Sequence, residues 1–291
     1  MGFNPLNPRI PLGAWVEDFT DWFTGFFRPL LDLIGLVLDA MYSFFVWTLG
    51  SPVYLLMIVV LAGLAWAAVG LRRGWGLALF TVIGFYLIRA FDQWANAMST
   101  LSLVLVAVII AVALAIPLGI LAAKSDAFSA FVKPVLDFMQ SMPALAYLVP
   151  IIVIFGIGIV PGVIATLIFS LPPGVRFTEL AIRQVDDEVV EAGRAFGATD
   201  SHILFRIQLP LAMPTIMAGI NQVIMLALSM VVLAGMAGAG GLGGDVVAAI
   251  SRIDLALGAE AGAGIVIIAV FLDRITAALG KRGPLARAQR A

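Results

Sequence analysis

The chain has 291 residues, 62% of them hydrophobic and 12% charged, with a mean hydropathy of +1.08 and a formal net charge of −1. This is too apolar and too poor in charge for a soluble domain of that size, so an integral membrane protein is expected, with no nucleic-acid partner. Cysteine is absent and His202 is the single histidine, which excludes disulfides, thiolate sites and imidazole clusters, so no metal site is expected.

Residues 1–28 interleave Trp15, Phe19, Trp22, Phe23, Phe26 and Phe27 with Glu17, Asp18 and Asp21, a mixture suited to the headgroup boundary. No basic segment leads into a compact apolar core, so no cleavable signal peptide is expected. In residues 29–49, Asp32 and Asp39 lie seven apart on nearly the same helical face. An amphipathic interfacial helix is expected there, because a carboxylate at the bilayer centre costs about 2.5–3.5 kcal/mol on insertion scales.

Seven clearer spans follow, at residues 53–71, 75–90, 100–123, 134–157, 161–181, 214–236 and 258–279. A run of about 20 apolar residues covers the ~30 Å hydrocarbon core as a helix, whereas barrel strands would alternate in polarity over segments of about ten residues. Pro117, Pro143, Pro150, Pro172 and Pro173 mark kinks or breaks, because proline removes a backbone donor and clashes one turn back.

Arg72, Arg73, Lys124, Lys133, Arg176, Arg183, Arg194, Arg206, Arg274, Lys281, Arg282, Arg287 and Arg290 fall on or near one side of these spans, against Arg9, Arg28, Arg89 and Arg252 on the other. The positive-inside rule puts the N-terminus outside and the C-terminus in the cytoplasm. Were residues 29–49 to span, the N-terminus would move inside while every later loop kept its side. The chain divides into an arm with an amphipathic helix (1–50), two peripheral spans (51–95), a five-helix core (96–281) carrying a cytoplasmic loop at 185–212, and a basic tail (282–291).

That loop is the most informative stretch. Asp186, Asp187 and Glu188 place negative charge at the positive end of a helical run over 189–196, and Gly197 supplies the positive φ that ends it. Thr199 or Asp200 can cap a second short helix through His202, Phe205 and Arg206 to Leu209, with Pro210 closing it. The result is two short helices at an angle, with Ala192, Gly193, Ala195 and Ala198 small enough for a partner's backbone to come close. Charge content alone would equally describe a solvated loop.

The spacing says more. Glu191-Ala192-Gly193, then Gly197 after three residues, then Ile207-x-Leu209-Pro210 after nine, resembles the EAA signature of permease subunits in bacterial ATP-binding-cassette importers. Gly193 stands where that family commonly has alanine, a change that weakens a helix by about 1 kcal/mol. FMQSMPALAYLVPIIVIFGIGIVPGV (138–163), LPLAMPTIMAGINQVIMLALSMVV (209–232) and GLGGDVVAAISRIDL (241–255) look like the permease of glycine betaine/proline betaine importers, a resemblance covering roughly residues 47–281.

The resemblance implies an all-α type I importer permease in the cytoplasmic (inner) membrane with no catalytic residues of its own. ATP and Mg would sit on a partner ATPase dimer, a second copy of the permease would complete a homodimer, and a binding protein outside would deliver the solute. Glu191, Ala192, Gly193, Gly197, Ile207, Leu209 and Pro210, supported by Arg194 and Phe196, would form the ATPase-coupling element. Gly240, Gly241, Leu242 and Gly243 would face the binding protein, and Gln140, Tyr147, Phe169, Asn221, Ser229 and Met230 would wall the pathway. For the last group there is an alternative in core packing (Tyr147, Phe169) or interhelical hydrogen bonds (Asn221, Ser229).

Other chemistry is missing. GAGGLGG at 238–244 lacks the Lys-Ser/Thr of a phosphate loop, and the adjacent acids at 186–188 point in different directions around a helix, which suits a solvated helix start better than magnesium. Arg176 and Glu179, three apart, are expected to pair. An ion-coupled secondary transporter would need acids near the bilayer midplane, and Asp92, Asp137, Asp245 and Asp254 fall near ends or loops. A permease of the same class for choline, carnitine or an amino acid stays open. The basic tail could touch anionic lipid at about 1 kcal/mol per charge.

Overall fold

The computed structural model describes residues 11–70 and 74–280. The start of the arm, Arg72, Arg73 and the basic tail lie outside the described residues. Every regular element among the described residues is helical: α1 (Leu12–Gly50), α2 (Tyr54–Val69), α3 (Trp75–Ala90), α4 (Trp94–Lys124), α5 (Asp126–Ser141), α6 (Ala144–Phe155), α7 (Ile159–Arg183), α8 (Asp187–Ala195), α9 (Asp200–Ile203), a π-helical turn (Leu204–Gln208), α10 (Leu209–Ser229), α11 (Val231–Met236), α12 (Gly241–Arg252) and α13 (Leu255–Gly280).

Five helical stretches are long and apolar enough to cross a membrane, among them α4, α7, α13 and the run Asp200–Met236. The fifth is α1, where the aromatic arm and residues 29–49 form one helix of 39 residues that passes through Pro29. It is buried only near its C-terminal third, where Leu38 and Tyr42 pack on Leu103, Val106 and Ala107 of α4. α2 and α3 are apolar but only 16 residues each, about 24 Å of helix.

The single span expected at 134–157 is instead a bent pair, α5 and α6, meeting at 97°. The bend sits where Pro143 follows Met142: a residue before proline is driven out of the α region, and Met142 adopts φ −73°, ψ 130°. Taken as one crossing, the pair makes a sixth.

The core is built on α4 and α7. Along α7, Gly162, Thr166, Ser170, Gly174 and Thr178 recur every fourth residue and are all buried; along α4, Ala107, Ala111, Ala115 and Gly119 do the same. With lipid outside, helices gain little by burying apolar area and associate through close packing, which small residues permit. The fit is tight: a Cβ on Gly119 would stand 2.5 Å from Thr178 Cβ and 2.8 Å from the Val175 carbonyl oxygen, and one on Gly174 would stand 2.8 Å from Ala115 Cβ. Thr166 and Thr178 donate to the carbonyls one turn back, at 2.7 and 2.8 Å, so their hydroxyls need no partner across the seam. A larger apolar cluster joins α2, α3, α4, α10 and α13, with Phe85 meeting Phe271 edge-on at 5.2 Å between centroids.

The expected Arg176–Glu179 pair does not form. Arg176 reaches across to Asp137 of α5, and Glu179 takes Ser129, Lys133 and Arg183. Residues three apart share a helix face, but here Asp137 of α5 takes Arg176, while Glu179 is held by Arg183 one turn along its own helix and by Ser129 and Lys133 of α5.

Candidate functional site

α7 ends at Arg183, and three residues later Asp186 opens α8, its carboxylate accepting the Glu188 N–H at 3.0 Å. The other end of α8 is a Schellman motif on Gly197 at φ +78°: Gly197 N–H donates to Arg194 O at 2.8 Å and Ala198 N–H to Gly193 O at 3.1 Å. Thr199 then caps α9, accepting from His202 N–H at 3.3 Å. Three local devices thus fix the loop's two turns.

Pro210 does not close the second helix. The chain runs on from α9 through the π turn into α10, and Leu209 N–H donates five residues back to Leu204 O. Proline lacks the N–H that an α-helix would require at that point; one turn of wider winding absorbs the defect without a break. The loop is therefore helically continuous with the membrane helix that follows it.

The two halves of the motif pack on each other. A Cβ on Gly193 would lie 2.7 Å from Ile207 Cδ1, so Ile207 sits directly over the glycine and α8 closes onto the π turn. Leu209 packs beneath, against the cluster of Ala181, Ile182, Leu204, Ala212 and Ile216. Ile207, Leu209 and Pro210 are half-buried braces, whereas Glu191, Ala192, Arg194, Phe196 and Gly197 are exposed. Phe196 has 93% of its surface free and Phe205, on the next turn, 60%. Two large aromatic rings thus stand bare on a polar, capped loop, an exposure of the kind found at protein–protein contacts. Behind them, Arg194 faces Asp200 at 3.7 Å, and a cleft of about 320 Å³ separates α8 and the π turn from Ala123 and Lys124 at the end of α4.

Of the six residues expected along the pathway, the structure gathers three. Tyr147 of α6, Phe169 of α7 and Met230 share one cluster with Leu148, Ile151 and Ala165. Tyr147 Oη and Ser170 Oγ are the buried side-chain oxygens without a hydrogen-bond partner among the described residues. Gln140 stands near the end of α5, and exposed Ser229 bonds back to Met225 O at 2.9 Å. Asn221 ties α10 to α13, donating to Asp273 Oδ1 at 3.0 Å and accepting from Thr276 Oγ1 at 2.6 Å. Asn221→Leu is accordingly expected to lower stability by about 1–2 kcal/mol, seen as an earlier thermal midpoint in detergent. Nothing in the local sequence links Asn221 to Asp273, because the bond joins helices far apart in the chain.

The glycine-rich turn is mostly internal. Gly240 and Gly241 adopt φ +70° and +63°, Leu242 N–H donates to Thr100 Oγ1 at 2.9 Å, and Leu242 and Gly243 are buried. Asp245 accepts from Asn96 Nδ2 at 2.6 Å, so this turn clamps α12 to the start of α4. Gly240 alone of the four is exposed.

With this geometry in place, comparison with known proteins is direct. Residues 115–282 match the family described as the binding-protein-dependent transport system inner membrane component. The chain is 48% identical to the glycine betaine/carnitine transport permease protein GbuB of Listeria monocytogenes, over 96% of this chain and 98% of that protein. It is 45% identical to the glycine betaine/proline betaine transport system permease protein ProW of Escherichia coli, over 96% of this chain and 79% of that one. The glycine betaine transport system permease protein OpuAB of Bacillus subtilis is 48% identical over 92% of this chain and 94% of its own length. Among solved structures, an inward-facing MetNI methionine ABC transporter chain superposes with a TM-score of 0.55 over 65% of this chain and 92% of that one. At 22% identity that likeness speaks to the fold alone.

Proposed function

The chain belongs to the family of binding-protein-dependent inner-membrane transport components, and on that premise we propose that it conducts glycine betaine or proline betaine inward as the permease of an ATP-driven importer. The single observation that carries the coupling half of this reading is the self-braced loop from α8 to the π turn, which exposes Phe196 and Phe205 and continues without a break into α10. The near relatives' solutes carry the other half.

The work is borrowed. Two copies of this chain sit on an ATPase dimer that holds ATP and Mg, and a binding protein delivers solute from outside. ATP binding closes the dimer and carries the exposed face of α8 with it; the loop's unbroken run into α10 turns that displacement into a change of access. Hydrolysis belongs to the partner, and this chain is a non-catalytic subunit.

A quaternary ammonium has no proton to donate, so its recognition relies on aromatic and polarisable faces. Tyr147, Phe169 and Met230 form one cluster, largely buried in this conformation, that would offer such faces once opened to the pathway, together with a Tyr147 hydroxyl that has no hydrogen-bond partner to give up. Loop 185–212 and the C-terminus lie in the cytoplasm. The positive-inside bias supports that side for them and, with α1 lying at the interface and not crossing, supports an N-terminus outside.

Proteoliposomes containing this chain, its ATPase and its binding protein test the proposal. Uptake of radiolabelled glycine betaine is expected only with ATP inside the vesicle compartment that exposes the loop. Uptake driven by a sodium or proton gradient without ATP would overturn it.

A further inference from the structure

α5 and α7 run antiparallel, and their facing stripes carry opposite charges in register. On α5 the stripe is Asp126, Ser129, Lys133 and Asp137, at steps of three and four; on α7 it is Arg176, Glu179 and Arg183, at the same steps. Such steps keep side chains on one face of a helix. At the inner end Arg183 Nη2 donates to Asp126 Oδ1 at 2.7 Å and to the Ala122 carbonyl of α4 at 2.8 Å. In the middle, Glu179 Oε1 accepts from Ser129 Oγ at 2.7 Å and meets Arg183 Nε at 3.1 Å and Lys133 Nζ at 3.4 Å. At the far end Arg176 pairs with Asp137.

Glu179 is the hub. Its side chain is 8% exposed, while its ionic partners on the ladder remain more than a third exposed. A buried carboxylate persists only where donors converge on it, and here they come from α5 and from its own helix. The ladder also lies between two parts that the proposed mechanism must link. Its inner rung, Arg183, is three residues from the cap of α8, and beyond its outer rung α5 turns through 97° into α6, which carries Tyr147.

We propose that α5 is a connecting rod, clamped to α7 by the Glu179-centred ladder throughout the transport cycle, and that Glu179 is a positioning residue that passes motion of the coupling loop to α6. The apolar cluster that joins the two helices is small: Leu136, with Val132 and Met139, meets Leu171 and Val175 of α7 together with Ala115 and Leu118 of α4. The polar rungs therefore determine which turn of α5 follows which turn of α7. This inference rests on the docking role of α8 but has its own readout.

The experiment measures glycine betaine taken up per ATP hydrolysed in proteoliposomes with ATPase and binding protein present. Asp137→Arg, at an exposed rung that leaves Glu179 untouched, is expected to lower that ratio roughly tenfold, the size of an ordinary coupling between sites, while co-purified ATPase stays at the unmodified level. Adding Arg176→Asp is expected to restore most of it. A merely structural ladder would reduce uptake and hydrolysis together and leave the ratio unchanged, which overturns the proposal, as does a reversed pair no better than the single variant. The chain has no cysteine, so Asp137→Cys with Arg176→Cys can be joined by a short thiol-specific cross-linker. Uptake is expected to survive that lock, and its loss would show that α5 must leave α7 in each cycle. Loss of co-purified ATPase, by contrast, would indict the docking role of α8 and not the rod.

Discussion

Glu191→Arg combined with Gly197→Val is expected to abolish co-purification of the ATPase while leaving the permease in the membrane at normal abundance. Gly197 holds φ +78°, and both Schellman bonds depend on it. A β-branched residue in that conformation costs about 1–2 kcal/mol. Refolding of the turn would swing Phe196 away from its present direction. Glu191 is exposed on α8, so reversing its charge changes the docking face without touching the packing of Ile207 on Gly193. A fall in bound ATPase of roughly tenfold or more, the equivalent of about 1.4 kcal/mol, is the expected reading in a pull-down from detergent extracts. Unchanged co-purification would remove α8 from the interface.

Gly119→Leu is expected to have the largest effect on stability. The Cβ alone meets Thr178 Cβ at 2.5 Å and the Val175 carbonyl oxygen at 2.8 Å, and a backbone oxygen within a helix cannot swing aside as a side-chain terminus can. Overpacking typically costs 1–3 kcal/mol, and the upper part of that range, about 3 kcal/mol, is expected here. Gly174→Leu acts on the same seam through Ala115, so the two effects should not add. Thermal unfolding in detergent is the check. A midpoint unchanged by Gly119→Leu would show that α4 and α7 can part without penalty.

The loop was legible in the sequence because its determinants are local. Asp186, Gly197 and Thr199 each act within a few residues, through caps and a positive φ that their own chemistry dictates. Prolines were harder to read: Pro117, Pro143, Pro150, Pro172 and Pro173 all suggest kinks or breaks, yet only Pro143 lies at a helix boundary, inside the stretch 134–157 expected as one span, while the other four lie within α4, α6 and α7. Pro210 was misread for the same reason: a proline looks like a stop unless the winding on either side is known, and one π turn is enough to pass it. The charge ladder and the tie from Asn221 to Asp273 were beyond such reading, because they depend on which helices become neighbours. The seam of small residues at every fourth position in α4 and α7 was present in the sequence as a pattern, masked by the apolar residues around it. For residues 240–243 the resemblance implied a loop facing a binding protein and said nothing of packing; the space the glycines leave lets α12 pack close to α11 and the start of α4, where a Cβ on Gly243 would stand 2.1 Å from Val231 O and one on Gly241 2.6 Å from Thr100 Oγ1.

The direction in which Phe196 points decides whether this loop can receive a partner. Phe196→Cys provides a single thiol in a chain that has no other. A membrane-impermeant maleimide is expected to label it in inside-out vesicles stripped of ATPase, and to fail both in right-side-out vesicles and when the ATPase is restored. Labelling from the outer face, or labelling undiminished by the bound ATPase, would contradict the claim that this loop is the point at which the permease receives its mechanical work.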